Sequence, residues 1–324
     1  MKRRTLLASA LALPFLSPAR AQDLSPLTQV LETEEQLHSL QVLQADRMLI
    51  AEAPRGGGLD RLTNIKSCSK SLVALMLGQA IASGAIDGVE APLGEVAPGL
   101  IPSGADPQVA GITMEDLVTL RAGLERTSGG NYGAWVSSRN WVADALARPM
   151  VAEPGGRMLY STGSTHVLGA ALAEATGQSL LRLARSGLGD PLGIEIPAWT
   201  RDPQGYYLGG NEMALTPRAM LRVARMMRDG GRHDGREVVP AEWVTASLRG
   251  RSRSPWSGMD YGYGWFLTRS GFAMGRGYGG QVIAFHQARG LAVAISSDPT
   301  LPARSEGYFG RLLDLLEGPI LAMA

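Results

Sequence analysis

The chain has 324 residues, 45% of them apolar and 19% charged, with 31 lysine and arginine residues against 30 aspartate and glutamate residues. With a mean hydropathy near zero, this is the composition of a globular protein long enough for a large core or two subdomains. No strongly basic cluster follows the N-terminal segment, so a nucleic-acid-binding protein is not expected.

The first 21 residues are predicted to be a secretory signal peptide. Residues 2–4 are Lys-Arg-Arg, residues 5–16 are mostly apolar, and residues 19–21 are Ala-Arg-Ala before Gln22, a small-x-small cleavage pattern. The apolar run is too short to span a bilayer, and the paired arginines suggest twin-arginine export. We therefore expect a periplasmic or secreted protein without a membrane span. Its mature chain has 27 basic and 30 acidic residues, a formal charge of −3.

Two strands and a long helix are predicted next. Residues 42–43 and 48–50 are apolar, with Gln-Ala-Asp-Arg at 44–47 between them, which is typical of two strands joined by a turn. A helix follows from about Ser67 to near Gly84. Because its residues are apolar nearly all round, this helix is expected to be buried.

The middle of the chain is predicted to consist mainly of short helices and Gly/Pro loops. Thr113 is the expected N-cap of one helix, since it precedes Met-Glu-Asp. Further helices are predicted over residues 165–176 and 179–187, from Thr216 to about Arg228, and over residues 240–248.

Strands return after Ser257. Residues 261–267, 280–285 and 291–295 are predicted to be three strands separated by glycine-marked turns, and residues 306–323 a closing amphipathic helix.

This order of elements predicts an α+β fold. Strands at both ends with helices between them indicate one sheet built from both termini, with a mostly helical insertion. We expect residues 22–324 to form the folded domain. Its sheet would come from about 40–66 and 257–324, and its helical part from about 67–256.

Ser67 and Lys70 form the first candidate reactive pair. Positions i and i+3 share one helix face, so the hydroxyl and the amine can meet. Burial and the positive end of the helix dipole would lower the pKa of Lys70, which could then act as a general base. The alternative is that Ser67 caps the helix while Lys70 reaches water, because a single S-x-x-K arises often by chance.

Tyr160 is the next candidate. It lies in a turn-rich loop, residues 152–163, of the kind that often carries site residues on a rigid frame. A phenol near an amine can relay a proton, and a neighbouring cation would lower its pKa. Alternatively, Tyr160 is a half-buried anchor of the loop.

Residues 275–281, Gly-Arg-Gly-Tyr-Gly-Gly-Gln, form the third segment of interest. They contain G-x-G-x-x-G but lead into a strand and not a helix, so the dinucleotide-binding interpretation fails. The glycines would allow a substrate or the Ser67 helix to approach the backbone closely. Simple turn chemistry is the alternative.

Neither a metal nor a cofactor is expected. The four histidines, His38, His166, His233 and His286, show no metal-ligand spacing. The single cysteine, Cys68, cannot form an intramolecular disulfide and is interpreted as a small packing residue of the helix. There is also no G-x-S-x-G elbow, which argues against an α/β-hydrolase triad.

Three motifs in this order resemble those of the active-site serine hydrolases related to class C β-lactamases and penicillin-binding proteins. They are S-x-x-K at 67–70, Tyr-Ser-Thr at 160–162, and the glycine-rich segment 275–281. The resemblance covers almost the whole mature chain and is greatest to the 6-aminohexanoate-dimer hydrolase and esterase branch. It implies a β-lactamase/transpeptidase-like fold.

The resemblance also implies roles for individual residues. Ser67 would be the nucleophile, Lys70 its base, and Tyr160 would assist proton transfer to the leaving group. The backbone N–H groups of Ser67 and Tyr278 would form the oxyanion hole. The implied substrate-binding residues are Thr162, Arg276 and Gly277.

Two departures from the β-lactamase pattern affect the expected substrate. Thr162 stands where that pattern has Asn, and Gly275 stands where it has Lys or His. Both changes should weaken β-lactam recognition more than ester or amide hydrolysis. The expected function is an exported serine hydrolase acting on a small ester or amide, with a β-lactam as a further candidate. The alternative is a catalytically weak or inactive cell-wall binding module resembling a penicillin-binding protein.

Overall fold

Strands from both ends of the chain frame the fold in the computed structural model, which describes residues 23–324. In chain order they are β1 (Leu37–Gln44), β2 (Arg47–Glu52), β3 (Thr63–Asn64), β4 (Ala214–Leu215), β5 (Arg232–His233), β6 (Arg236–Glu237), β7 (Ser252–Arg253), β8 (Asp260–Tyr261), β9 (Phe266–Leu267), β10 (Ala273–Arg276), β11 (Val282–His286) and β12 (Leu291–Ser297).

Eight of these strands form one antiparallel sheet in the order β2-β1-β12-β11-β10-β9-β8-β7. Strand β1, near the N-terminus, pairs with β12, near the C-terminus, and places Val42 opposite Val293. This confirms the predicted α+β fold with a sheet built from both ends. The sheet uses residues 37–52 and 252–297, whereas β3 pairs separately with β4.

Most helices lie between β2 and β7 in sequence, as the predicted insertion requires. They are α1 (Ser25–Thr33), α2 (Ser69–Ala82), α3 (Leu93–Val96), α4 (Met114–Val118), α5 (Tyr132–Val136), α6 (Trp141–Leu146), α7 (Thr162–Thr176), α8 (Leu180–Ala184), α9 (Asp190–Leu192), α10 (Pro217–Arg228), α11 (Ala241–Ser247) and α12 (Tyr308–Leu315).

Both faces of the sheet are buried, and the strand residues divide alternately between two cores. On β11, Ile283 and Phe285 join the core that contains α2, α7 and α10. Val282 and Ala284 join the opposite core with α1 and α12. This follows from the two-residue repeat of a strand, whose successive side chains point to opposite faces. The helical insertion therefore covers one face, and the two terminal helices cover the other.

Several predicted helix ends are confirmed. Thr113 caps α4: its Oγ1 accepts from the Asp116 backbone N–H at 3.1 Å, and the Asp116 carboxylate accepts from the Thr113 N–H at 3.0 Å. Thr216 caps α10, which ends at Arg228 as predicted. Helix α7 ends at Thr176, as predicted, and the next residue, Gly177, has a φ of +65° that suits a helix C-terminus.

The predicted strand over 261–267 is instead two short strands, β8 and β9, separated by a turn. Gly264 has φ +80°, and a Cβ atom there would lie 2.6 Å from the Ala74 side chain in α2. The turn is held on α2 by Ser71, whose hydroxyl donates to the Gly264 carbonyl at 2.6 Å. The chain therefore bends at this point because it packs against α2. Strand β10 and helix α1 were not predicted. The closing helix is confirmed, since α12 continues without a break through a wider helical turn over Leu316–Ile320.

The structure does not describe residues 1–22, so the predicted signal peptide lies outside the described residues. Among the helices it does describe, none combines the length and the apolar character needed to cross a bilayer.

Candidate active site

Ser67 lies in a single 3₁₀ turn, Lys66–Cys68, that leads directly into α2. Lys66 has φ +49°, and its backbone N–H donates to the Asn64 side chain at 2.8 Å. Glu212 joins the same cluster, since its carboxylate accepts from Asn64 Nδ2 at 2.6 Å and from Lys66 Nζ at 3.1 Å. This charged and hydrogen-bonded cluster stabilises a backbone conformation that is uncommon for a non-glycine residue and so positions the serine beside it.

Lys70 contacts Ser67 as its spacing predicts. Nζ lies 3.1 Å from Ser67 Oγ, 3.3 Å from Thr162 Oγ1 and 2.6 Å from the Gly210 carbonyl oxygen. The side chain is only 3% exposed, so it does not extend into water. The structure therefore favours the reactive pair over the alternative in which Lys70 is a solvated surface cation.

Burial lowers the pKa of Lys70 from its usual value of 10.5 to about 7, and the nearby Cys68 opposes this shift in part. All three hydrogen-bond partners of Nζ are neutral oxygens, so none of them compensates the cost of burying a positive charge. The expected direction of the pKa shift is confirmed. A neutral amine has two N–H donors and one lone pair, so it can donate to two partners and accept the Ser67 proton.

Tyr160 lies beside the same amine, with Lys70 Nζ 5.0 Å from the centre of its ring. The ring stacks on Phe266, with centroids 6.3 Å apart, and meets the edge of Trp256 at 6.5 Å. These contacts fix the phenol in an aromatic layer at the reactive pair, where the sequence predicted it.

The expected lowering of the Tyr160 pKa was wrong. Burial raises the pKa of Tyr160 to about 12, and the Ser67 hydroxyl and the Arg276 charge offset this only in part. Tyr160 is therefore protonated at neutral pH and can donate a hydrogen bond or a proton.

Two hydroxyl residues that the sequence analysis missed hold the backbone of Thr162 and Gly163 in place. Ser128 Oγ accepts from the Thr162 backbone N–H at 2.9 Å, and Thr127 Oγ1 accepts from the Gly163 N–H at 2.8 Å. These N–H groups open α7, where no preceding residue of the helix can accept their hydrogen bonds. A loop 34 residues earlier in the chain thus supplies the N-terminal cap of this helix.

The third motif occupies the end of β10 and the turn before β11. A Cβ atom on Gly275 would lie 2.6 Å from Ser71 Oγ, and one on Gly277 would lie 2.9 Å from the Ile65 carbonyl oxygen. The expectation that glycines allow the Ser67 helix to approach closely is therefore confirmed for both positions. Any side chain at position 275, a lysine included, would require the Ser71 hydroxyl to move.

The predicted oxyanion hole has free donors. Within residues 23–324, neither the Ser67 nor the Tyr278 backbone N–H donates to a protein acceptor. The close contact between Gly277 and the residue two before Ser67 brings these segments together. The Tyr278 side chain is 57% exposed, so it lies at the protein surface. The role of the two N–H groups stays a prediction.

The predicted substrate-binding side chains differ in how fully they are already engaged in contacts within the protein. Thr162 Oγ1 lies 3.3 Å from Lys70 Nζ. Arg276 uses its guanidinium within the protein, donating to the Ala303 carbonyl at 3.0 Å and to Ser305 Oγ at 3.1 Å while it stacks on Phe309. Burial lowers the pKa of Arg276 to about 10. The roles of Arg276 and Gly277 as substrate contacts remain predictions.

Cys68 has a structural role, as expected. It is fully buried, its thiol lies 3.5 Å from the Gln281 carbonyl oxygen, and burial raises the pKa of the thiol to about 12. A thiol that stays protonated is a poor nucleophile. Among the residues that the structure describes, no cluster of three or more His, Cys, Asp or Glu side chains could hold a metal ion.

Comparison with known proteins agrees with this geometry. The family model described as Beta-lactamase matches residues 51–313. The 6-aminohexanoate-dimer hydrolase of Paenarthrobacter ureafaciens is 32% identical over 99 residues, which are 30% of this chain and 25% of that protein, so the match spans only a quarter of the relative.

Two solved structures show the same fold. A Bacillus anthracis protein provisionally named 6-aminohexanoate-dimer hydrolase has a TM-score of 0.76 at 15% identity, covering 90% of this chain and 81% of that one. EstCE1, titled a hydrolase with promiscuous acyltransferase activity, has a TM-score of 0.73 at 16% identity, covering 91% and 96%. With the family match over most of its length, this chain belongs to the β-lactamase family of serine hydrolases.

Proposed function

We propose that this protein hydrolyses small esters or amides through an acyl-enzyme on Ser67. One observation carries the proposal: the buried Lys70 amine lies 3.1 Å from Ser67 Oγ, with its pKa lowered to about 7. A base is most useful when its pKa lies near the working pH, and this amine meets that condition. A serine within hydrogen-bond reach of such a base is an activated nucleophile.

Acylation would begin when Ser67 Oγ attacks the substrate carbonyl carbon and its proton moves to Lys70 Nζ. The carbonyl oxygen becomes negative and is stabilised by the N–H groups of Ser67 and Tyr278. When the tetrahedral intermediate collapses, the bond to the leaving group breaks. Tyr160, protonated at neutral pH, donates its proton to that group and regains one from the Lys70 ammonium.

Deacylation would use the same groups in the reverse sense. A water molecule gives a proton to the free Lys70 amine and attacks the acyl carbon, and the new oxyanion occupies the same pair of N–H groups. The bond to Ser67 Oγ then breaks, and the serine regains its proton from the ammonium. The protein returns to its starting state with the acid released.

Esters and linear amides are favoured over β-lactams for steric and electrostatic reasons. The third motif begins with Gly275 and therefore has no lysine there. The Thr162 hydroxyl is already hydrogen-bonded to Lys70 and to Ser128. A substrate carboxylate therefore loses the cation that a lysine would supply. The relative named for the 6-aminohexanoate dimer makes that linear amide a natural test compound.

Intact-mass detection of the acylated protein tests this proposal. The wild type is mixed with p-nitrophenyl esters, the 6-aminohexanoate dimer, a D-alanyl peptide and a penicillin, and turnover is measured alongside. Ser67→Ala should abolish both acylation and turnover, while Ser83→Ala, at the far end of α2, should change neither. Ester turnover that survives Ser67→Ala undiminished would contradict the mechanism.

The cell-wall binding module is the second candidate, favoured by the two departures at Gly275 and Thr162. It predicts tight peptidoglycan binding without labelling of Ser67 by a fluorophosphonate or a penicillin. Labelling at Ser67 excludes it in favour of the enzyme.

We further propose that residues 1–21 direct export to the periplasm or the medium. The supporting observation is the order of features in that segment: basic residues come first, then an apolar run, then a small-x-small cleavage pattern. Expression of the full chain should give an exported product that begins at Gln22, as read by N-terminal sequencing. Substitution of the paired arginines by lysine should stop export if the twin-arginine route is used and leave it unchanged otherwise.

A further inference from the structure

A histidine and an aspartate that the proposed chemistry does not use are completely buried next to the active site. His166 Nε2 lies 3.1 Å from Asp202 Oδ2, and neither side chain has any exposed surface. His166 belongs to α7, one turn beyond Thr162. Trp135 and Trp141 enclose the imidazole, each with its ring centroid 5.7 Å away.

The hydrogen-bond partners determine where the imidazole carries its proton. Asp202 Oδ1 accepts from the backbone N–H groups of Gln204 at 2.9 Å and Tyr206 at 2.8 Å, which leaves Oδ2 for His166. On the other side, His166 Nδ1 lies 3.4 Å from the Gly209 backbone nitrogen, which can only donate. A carboxylate only accepts, so Nε2 carries the proton and Nδ1 accepts.

From Gly209 the contacts continue to the reactive amine. The next residue, Gly210, presents its carbonyl oxygen 2.6 Å from Lys70 Nζ. Both glycines are tightly confined: a Cβ atom on Gly209 would lie 2.2 Å from the Thr165 carbonyl oxygen, and one on Gly210 would lie 3.1 Å from Lys70 Nζ. A small shift of this backbone would therefore change the contact with the amine.

We propose that the His166–Asp202 pair is a positioning device for the Lys70 base. It holds the Gly209–Gly210 backbone so that the Gly210 carbonyl accepts one N–H of the neutral amine. Thr162 accepts the other N–H, and the lone pair then faces Ser67 Oγ. The inference rests on the proposed serine hydrolase function, because it assigns a role in preparing the same nucleophile.

A role in folding stability alone would not explain the pair well. Replacing a buried charged or polar pair by packed apolar side chains is often neutral or stabilising. Here every polar atom of the pair has a partner, and the contacts lead from the pair to the catalytic amine. Misplacing a reacting group by about 1 Å can cost roughly 10²-fold in rate, so such a support has a direct benefit for activity.

Asp202→Asn tests the proposal with the exchange of a single atom. The asparagine Oδ1 can still accept from residues 204 and 206, but its Nδ2 must donate to His166 Nε2. The imidazole proton then moves to Nδ1, where it faces the Gly209 N–H, donor against donor. We expect the rate of Ser67 acylation by a p-nitrophenyl ester to fall roughly 10- to 100-fold, with little change in KM, because neither residue touches the substrate.

A pair of substitutions at position 166 separates positioning from folding. His166→Gln keeps one donor and one acceptor on a planar group, whereas His166→Leu removes both. Acylation should be faster in the glutamine variant than in the leucine variant when both are compared well below their melting temperatures. Asp202→Asn combined with His166→Leu should be no slower than His166→Leu alone, because the two residues act along one path.

Ser39→Ala serves as the matched stability control. Ser39 and Ser296 form a buried hydroxyl pair between β1 and β12, away from Lys70. This variant should lower the melting temperature without slowing acylation. If Asp202→Asn acylates as fast as the wild type, or if the two His166 variants are equally slow, the positioning role is overturned while the proposed function stands. Wild-type protein that no ester acylates would contradict the proposed function itself.

Discussion

Gly275 and Ser71 lie so close that a Cβ atom at position 275 would be 2.6 Å from Ser71 Oγ. The hydroxyl cannot easily move away, because it donates to the Gly264 carbonyl at 2.6 Å. Strand β10 and helix α2 therefore meet at a point where a side chain on residue 275 would displace the Ser71 hydroxyl. A lysine at this position, as in the β-lactamase pattern, would meet the same hydroxyl.

This contact predicts that Gly275→Ala is destabilising. Adding one methyl group to a tightly packed contact typically costs about 1–3 kcal/mol in the free energy of unfolding. Ser71→Ala in the same chain removes the clashing oxygen, so the double variant should be more stable than the sum of the two single effects indicates. Chemical denaturation of the four proteins measures this coupling. Additive effects would show that the contact is looser than the structure indicates.

The lowered pKa of Lys70 can be measured directly, because the chain has only three lysines: Lys2, Lys66 and Lys70. In a protein labelled with carbon-13 at lysine Cε, one signal should titrate with a pKa of about 7. Lys70→Arg should remove that signal and no other. If the Lys70 signal titrated near pH 10 instead, Lys70 could not be the proposed base.

Activity should follow the same titration. Only the free amine can accept the Ser67 proton, so kcat/KM for an ester should rise with pH and level off above about 7. Lys70→Ala should lose roughly 10²- to 10⁴-fold and show no limb near pH 7. The pH profile of the wild type and the spectroscopic titration should agree. A wild-type profile that is flat from pH 5 to 9 would contradict the assignment.

Burial of Lys70 also makes stability depend on pH. The folded-state pKa of about 7 is below the unfolded value of 10.5, so the unfolded chain binds more protons between these values, and stability rises with pH across that window. Lys70→Met removes this contribution. The free energy of unfolding of the wild type relative to that variant should therefore increase by about 1 kcal/mol per pH unit from pH 7.5 to 9. Urea unfolding at several pH values measures the difference.

The contact between Ser67 and Lys70 could be predicted because it is local. The two residues are three apart where an apolar helix begins, so the spacing predicts their contact and the apolar surroundings predict the direction of the Lys70 pKa shift. The β1–β2 strands and the capped starts of α4 and α10 were predictable for the same reason. The motif alone left a helix-capping role for Ser67 open.

The remaining parts of the site depend on tertiary contacts. The Gly210 carbonyl reaches Lys70 from 140 residues away, and a backbone oxygen has no sequence signature. Thr127 and Ser128 are common loop residues whose role appears only when they meet the start of α7. The direction of the Tyr160 pKa shift was wrong because burial by Phe266 and the surrounding core is not visible in a turn-rich segment.

Tyr160→Phe should separate substrates by their leaving groups. The phenylalanine ring keeps the contacts with Phe266 and Trp256 but cannot donate a proton. Amide cleavage needs a proton on the leaving nitrogen, so it should fall by roughly 10²- to 10⁴-fold, whereas p-nitrophenolate leaves without one and its ester should lose much less. The ratio of the two rates is the measurement.

Tyr261→Phe is the matched control for this substitution, since Tyr261 is a buried tyrosine that packs against the same ring, Phe266, with centroids 4.8 Å apart. It should leave the ratio of amide to ester rates unchanged. Because burial raises the pKa of Tyr160 to about 12, the wild type should show no tyrosine limb below about pH 10. Equal losses for both substrates in Tyr160→Phe would mean that the phenol positions Ser67 or Lys70 and does not protonate the leaving group.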